Sequence, residues 1–156
     1  MKPHPQFKEF IAAYDKNVQE LTIALRNFIT DLVPEANELI WDNYNAVAMA
    51  YSKSEKLKDA FCHIAVYSKY VNFGFNRGAE LTKTPITLNG KGKLIRHIKV
   101  KDIHTFPRTE IESMIWEAVA ISEKLNPNLA HKNTKGQSIV MSISEKKVRP
   151  NTNTNQ

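Results

Sequence analysis

The hydrophobic period of this chain changes twice, and these changes constrain its fold more than any other feature. Apolar residues recur at helical spacing over residues 7–32, alternate as in β-strands over 39–100, and return to helical spacing over 111–125. Helices are therefore predicted at both ends of this region, with strands between them. This order argues against a parallel sheet, in which helices connect successive strands, and favours an antiparallel meander.

Local signals refine the predicted helices. Asn17, with a glutamate three residues later, is typical of a helix start, and Pro34 ends the helical pattern. We expect a short helix, a break near Lys16 and a longer helix. A single bent helix is the alternative, because the two apolar stripes are nearly in phase. Pro107 is placed in the first turn of the last helix, and the Asn-Pro-Asn segment 126–128 ends it.

The predicted strands are joined by short connections. Only two residues separate the runs 61–67 and 70–75, which indicates a tight hairpin. A strand over 94–100 follows a turn at Asn89-Gly90, and the apolar segment 139–143 is a candidate for one added edge strand. The predicted fold class is α+β. It is a two-layer sandwich, in which an antiparallel sheet of about five strands carries the N- and C-terminal helices on one face. The other face is open to solvent, a partner or a ligand, and a site is expected there.

Length and charge divide the chain into two parts. Its 156 residues fit one domain over 1–125, followed by a basic polar tail over 126–156. In the tail Glu145 is the only acid, so the tail carries most of the formal net charge of +6. Such a tail can attract nucleic acid, but no groove-reading motif accompanies it, and we disfavour nucleic-acid binding. The Asn- and Thr-rich end, residues 151–156, is predicted to be disordered.

Cysteine content and hydropathy bear on location. The single cysteine, Cys62, excludes a disulfide framework. No apolar run approaches the roughly 20 residues that span a bilayer, and the N-terminus lacks the apolar core of a signal peptide. The cytoplasm is the expected location, and no membrane interaction is expected.

The segment 89–93, Asn-Gly-Lys-Gly-Lys, invites comparison with a phosphate-binding loop. That loop requires G-x-x-x-x-G-K-[ST] between a strand and a helix, whereas here the first glycine and the hydroxyl residue are missing and a strand follows. A basic turn is the favoured interpretation. Lys91, Lys93 and Arg96 can still form an anion-attracting rim beside the sheet.

Histidine and cysteine spacing does not predict a zinc site or a nucleophile. The chain lacks C-x-x-C and H-E-x-x-H motifs. Adjacent strand residues point to opposite faces, so Cys62 and His63 are not expected to share a ligand. Cys62 is interpreted as a buried apolar filler, because no base is placed to activate it.

Alternation predicts which polar residues reach the open sheet face. Trp41 and Asn43 share one face of the first strand, and a tryptophan beside amides is a recognition surface or the polar end of a core. With the basic residues of the rim added, the candidate ligand-binding set is Trp41, Asn43, His63, Asn76, Arg77, Lys93 and Arg96.

Four carboxylates form a candidate metal set. Asp31, Glu35, Glu38 and Asp42 run from the end of the long helix into the first strand. Oxygen-rich clusters suit hard cations. Ordinary solvation of a surface edge is the alternative interpretation.

Three stretches of the sequence carry a family resemblance. They are Glu-Leu-Ile-Trp at 38–41, Phe-Gly-Phe-Asn-Arg-Gly-Ala-Glu-Leu at 73–81, and Leu-Asn-Gly-Lys-Gly-Lys-Leu-Ile-Arg-His-Ile-Lys at 88–99. Together they resemble the YdhG-like domain-of-unknown-function family, in its branch with a GF..GA.L and G.GK..RH.K signature, over about residues 7–125. The resemblance implies a frataxin-like helix–sheet–helix fold. One member type is an iron chaperone for iron–sulfur and haem assembly, which makes iron the implied cofactor and iron–sulfur assembly proteins the implied partners.

The functional expectation is a non-enzymatic domain that binds a ligand or a partner protein on its open sheet face, in its most concrete form an iron chaperone. Two alternatives stay open. One is a small-molecule site, binding or enzymatic, for an anion or phosphate at the rim formed by Arg77, Lys93 and Arg96. The other is an adaptor that binds nucleic acid or an acidic partner through the tail.

Overall fold

Helices and strands follow the order that the two changes of period predict. The computed structural model describes residues 1–150. Within them the helices are α1 (Phe7–Ile11), α2 (Lys16–Leu32) and α3 (Arg108–Leu125). The strands are β1 (Asn37–Asp42), β2 (Val47–Ser52), β3 (Ala60–Val66), β4 (Val71–Phe75), β5 (Arg96–Val100) and β6 (Ser138–Ile143). Short 3-10 turns lie at Leu57–Asp59, Gly78–Glu80, Ile103–Thr105 and Pro127–His131. The predicted break between the first two helices is confirmed.

The strands form one sheet in the order β5-β4-β3-β2-β1-β6. The first five are a meander in which every neighbouring pair is antiparallel. The tight β3–β4 hairpin is confirmed, with the Tyr67 amide donating to the Tyr70 carbonyl at 3.0 Å. The α+β two-layer class is confirmed, although the sheet has six strands rather than about five.

The sixth strand comes from the C-terminal tail and pairs with β1 in parallel. The chain reaches this edge by passing close to β1, where the Gly136 amide donates to the Pro34 carbonyl at 2.8 Å. A Cβ atom at position 136 would overlap the Ala36 backbone, so only glycine permits this approach. The Asn37 side chain secures the entry by accepting from the Gln137 amide at 2.9 Å. The predicted disorder of 151–156 lies outside the described residues.

Alternation gives the sheet two unlike faces. On β2, Val47, Met49 and Tyr51 enter the core beneath the helices, whereas Ala48 and Ala50 point the other way. Helices α2 and α3 both pack on β3. They cover the large apolar side chains and leave the opposite face open. Within residues 1–150, no helix has the length and apolar character needed to cross a membrane.

Candidate functional site

A cavity of about 730 Å³ lies on the open face of the sheet. The strands contribute mainly small or flat side chains. The other lining residues are Asn43, Asn76 and Arg77, directly beyond strand ends, and two loop segments, 57–58 and 92–95. We call it the open-face cavity. The residues that line it are Trp41, Asn43, Ala48, Met49, Ala50, Leu57, Lys58, Ala60, His63, Asn76, Arg77, Gly92, Lys93, Leu94 and Ile95.

The depth of the cavity follows from side-chain size on β2. Trp41 is opposite Ala48 in the register of β1 and β2, and Ala50 is opposite His63 in the register of β2 and β3. Opposed residues share a face and approach within a few ångströms. Two methyl groups therefore lie between an indole on one neighbouring strand and an imidazole on the other, and the space above them is free.

One side of the cavity is a loop over residues 90–95, which we call the glycine loop. Its ends are closed by two hydrogen bonds of 2.8 Å between the backbones of Asn89 and His97. Gly90 has φ +137°, a conformation that glycine adopts without strain, as the predicted turn requires. The Arg96 guanidinium Nη1 donates to the carbonyls of Gly92 and Ile95, at 2.7 Å each. The loop is thus held by its own residues beside the sheet.

The second loop segment, which carries Leu57 and Lys58, is anchored by a buried carboxylate. Asp59 accepts from the Ser54 hydroxyl at 2.7 Å, and its backbone amide donates to the Lys56 carbonyl at 3.1 Å. Two lining residues expose large apolar side chains to water: Leu57 is 53% exposed and Ile95 is 50% exposed. Exposed apolar groups that line a concavity are typical of a ligand site.

His63 is held in a fixed orientation within the cavity. Its Nδ1 lies 2.9 Å from Asn76 Oδ1, and because an amide oxygen only accepts, Nδ1 carries the proton. The ring lies over Gly74, where a Cβ atom would overlap Nε2 and Cε1. In neutral His63 the Nε2 atom is therefore an acceptor. Burial lowers the pKa of His63 and the nearby His97 lowers it further, whereas the hydrogen bond that Nδ1 donates to Asn76 opposes the shift.

This lowered pKa predicts a pH dependence of stability. His63 binds a proton less readily in the folded chain than in the unfolded chain, whose histidine pKa is about 6.5. The stability that neutral His63 contributes is fully present above about pH 6.5. It is lost as the pH falls through the pKa of His63 in the folded chain. We expect the free energy of unfolding, measured by urea titration, to fall less between pH 7 and pH 5 in His63→Gln than in the parent. The exposed His104→Gln serves as control and should retain the parent slope; equal slopes in all three proteins would contradict this prediction.

The structure brings six of the seven predicted ligand-binding residues to one place: Trp41, Asn43, His63, Asn76, Arg77 and Lys93 all line the open-face cavity. Arg96 does not line it. It pairs in register with Phe75, whose side chain is in the core, so alternation places Arg96 on the helix side of the sheet. The prediction that Arg96 reaches the open face is therefore wrong, because it assigned the residue to the wrong one of the two alternating faces of its strand. Arg77 lines the cavity but is engaged by Glu80, with Nε 2.9 Å from Oε1.

The four predicted metal ligands are dispersed. Glu38 and Asp42 are fully buried and paired with cations, Asp31 is exposed and Glu35 is half-buried. Within residues 1–150, no group of three or more His, Cys, Asp or Glu side chains is placed to hold a metal ion. The strand geometry explains this, because Glu38 and Asp42 face the helices and receive their own counterions there.

Cys62 has the position expected of a filler. It is buried in the core and faces away from His63, and burial raises the pKa of its thiol well above the usual range. The open-face cavity therefore contains no cysteine nucleophile.

Several lining residues were missed by sequence reasoning, chiefly Ala48, Ala50, Leu57, Lys58 and Ile95. One signal was present for the first two. Alanine is depleted in strands, yet β2 repeats it at alternate positions, which indicates a face where space is kept free. The two loop segments carried no comparable signal, because their position over the sheet depends on tertiary contacts.

The fold and the cavity define a two-layer α+β protein with a pocket of small-molecule size. No family model, no curated protein and no solved structure matches the chain. The YdhG-like resemblance, the iron cofactor and the iron–sulfur assembly partners stay predictions.

Proposed function

We propose that this protein is a small-molecule-binding domain and that its ligand occupies the open-face cavity. The observation that carries this proposal is the combination of volume and lining. About 730 Å³ falls within the usual range for organic ligands. The cavity joins apolar surface from Trp41, Leu57 and Ile95 to a few polar groups that can fix orientation.

The individual groups have separable roles in the proposed site. Trp41 offers a flat apolar surface, and stacking or edge contacts with a ring add to the area buried. Asn43 and Asn76 offer amide groups, and neutral His63 offers Nε2 as an acceptor. Together these residues can bind a small molecule and fix its orientation. We place it in the cytoplasm, where a free thiol such as that of Cys62 persists.

The first experiment uses a panel of small ring compounds and the two tryptophan indole N–H resonances of the ¹⁵N-labelled chain. Trp41 lines the cavity, whereas Trp116 lies on α3 with 47% exposure and reports non-specific contact. The variant Trp116→Phe assigns the two signals. Compounds that bind should shift the Trp41 resonance and leave that of Trp116 in place. Equal shifts of both resonances for every compound would contradict the proposal.

A matched pair of alanine variants tests the location. Ala48 and Ala65 are opposite each other in the register of β2 and β3, and both are half-buried, but only Ala48 lines the cavity. In Ala48→Leu the larger side chain occupies ligand space, so affinity should fall at least about tenfold, equivalent to about 1.4 kcal/mol. Ala65→Leu should bind as the parent does, with both variants retaining cooperative thermal unfolding. If Ala48→Leu and Ala65→Leu bind with the same affinity, the ligand does not bind in this cavity.

A further inference from the structure

We propose that the ligand of the open-face cavity is an organic anion, with an apolar body and one carboxylate or phosphate group. This inference rests on the proposed function and adds the charge of the ligand. It is carried by the charged residues that line the cavity, which are all cationic. The charged residues of the lining are Lys58, Arg77 and Lys93, and the lining contains no carboxylate.

The three cations are not equally available. Arg77 is neutralised by Glu80, since its Nε and Nη2 lie 2.9 Å and 2.5 Å from the two carboxylate oxygens. Lys58 and Lys93 form no ion pair with any residue in the part of the chain that the structure describes. Two ammonium groups are therefore left to a ligand, one on each loop that borders the cavity.

The backbone that carries each lysine is fixed. Lys58 lies in the turn that buried Asp59 anchors, and Lys93 lies in the glycine loop that Arg96 holds through two carbonyls. Arg96 thus anchors the glycine loop, a role different from the ligand contact that was predicted for it. Only the lysine side chains must become ordered when an anion binds, which limits the entropy lost.

Apolar walls strengthen the attraction of these charges. A concavity of low dielectric lined by one sign of charge focuses its field on the space inside. Leu57 adjoins Lys58 in the sequence and Ile95 is two residues from Lys93, so a ligand that covers either apolar group lies near one of the two lysines. The same field would repel a cationic ligand.

The side chain of Asn76 adds a donor of the appropriate kind. Its Oδ1 is occupied by the proton of His63 Nδ1, so its NH₂ group is the part left for a ligand, and an NH₂ group only donates. Carboxylate and phosphate oxygens accept such bonds. The polar chemistry of the cavity and its charge thus favour the same class of ligand.

The test compares four naphthalene compounds of the same shape, namely 2-naphthoate, 2-naphthyl phosphate, the neutral 2-naphthamide and the cationic 2-naphthylmethylammonium. Binding to the full chain is followed by the Trp41 indole resonance near neutral pH. At least one of the two anions should bind about tenfold or more tightly than the amide, and added salt should reduce this preference. The better of carboxylate and phosphate identifies the headgroup.

Charge variants with matched controls locate the effect. The double variant Lys58→Gln/Lys93→Gln should lose most of the preference for the anion and keep the affinity for the amide. Lys56→Gln/Lys91→Gln changes exposed lysines in the same two segments that do not line the cavity, and should change the preference less than about twofold.

The outcomes separate the two proposals. If anion and amide bind alike, or if both double variants lose the preference equally, the charge inference is overturned while the cavity keeps its function. If none of the four compounds moves the Trp41 resonance, and the wider panel of ring compounds also leaves it in place, the proposed function fails and this inference fails with it.

Discussion

Replacing Arg26 by Met is expected to lower the free energy of unfolding by about 3–5 kcal/mol, the largest effect of any single substitution considered for this protein. Arg26 and Glu38 are both buried between α2 and β1, with side chains 2% and 0% exposed. The guanidinium Nε and Nη2 atoms donate to the two oxygens of Glu38 at 2.8 Å and 3.1 Å. Without Arg26, the carboxylate keeps its burial and loses its counterion.

The rest of the Glu38 environment cannot replace that charge. Tyr51 Oη and Ser138 Oγ donate to the carboxylate at 2.9 Å and 2.7 Å, but both groups are neutral. Burial raises the pKa of Tyr51 well above its usual range, and the charge of Glu38 raises it further, so the phenol remains a donor. Ser138 belongs to β6, which links this network to the docking of the C-terminal strand.

Urea denaturation of three variants checks the prediction. Arg26→Met should be strongly destabilised, whereas Arg26→Met/Glu38→Leu should recover much of the loss because it no longer buries an unpaired charge. Lys69→Met removes the exposed pair with Asp15 and should cost less than about 1 kcal/mol. A loss below that level for Arg26→Met would show that Glu38 is not held as a charged group in this core.

The double variant Lys147→Gln/Arg149→Gln is expected to be destabilised by about 3 kcal/mol. Asp42, at the end of β1, is fully buried, and its two carboxylate oxygens form ion pairs with Lys147 and Arg149 of the C-terminal segment. The Val148 amide donates to the Tyr44 carbonyl at 2.9 Å between them. This segment therefore supplies the counterions for a carboxylate of the first strand.

The control for this prediction lies in the same segment. Lys146→Gln changes an exposed lysine that forms no ion pair with any described residue, and its unfolding should match the parent. Adding Asp42→Asn to the double variant should restore part of the stability, since the uncompensated charge is removed. If the double variant unfolds at the parent urea concentration, the segment around Lys147 does not hold Asp42 in solution.

The metal and rim hypotheses show what residue type alone leaves open. Glu38 and Asp42 fit a metal set by chemistry, but the pleat turns both toward the helices, where Arg26 and the C-terminal cations reach them. Arg77 and Arg96 fit an anion rim by charge, but one pairs with Glu80 and the other binds loop carbonyls. Whether a charged group is free depends on neighbours distant in sequence. Lys58 and Lys93 form no ion pair with another residue of the described range 1–150, and of these two lysines only Lys93 was predicted to belong to the site.

Local physics determined much of this protein. Period, prolines and turn residues were sufficient for α1, α2, α3 and the five-stranded meander, because these elements depend on contacts between near neighbours in sequence. Alternation predicted Trp41, Asn43, His63 and Asn76 as a set on one face, and all four line the cavity. It left open whether Trp41 belongs to the surface or to the core, and it misplaced Arg96.

Tertiary structure decided the remainder. It paired β6 with β1 in parallel across about a hundred residues, placed the loops 57–58 and 92–95 beside the alanines of β2, and gave the buried carboxylates of Glu38 and Asp42 their cations. The physical reason is that side-chain direction within a strand has a period that the sequence displays. The position of one segment over another is set by packing, register and burial of charge between residues far apart in the chain.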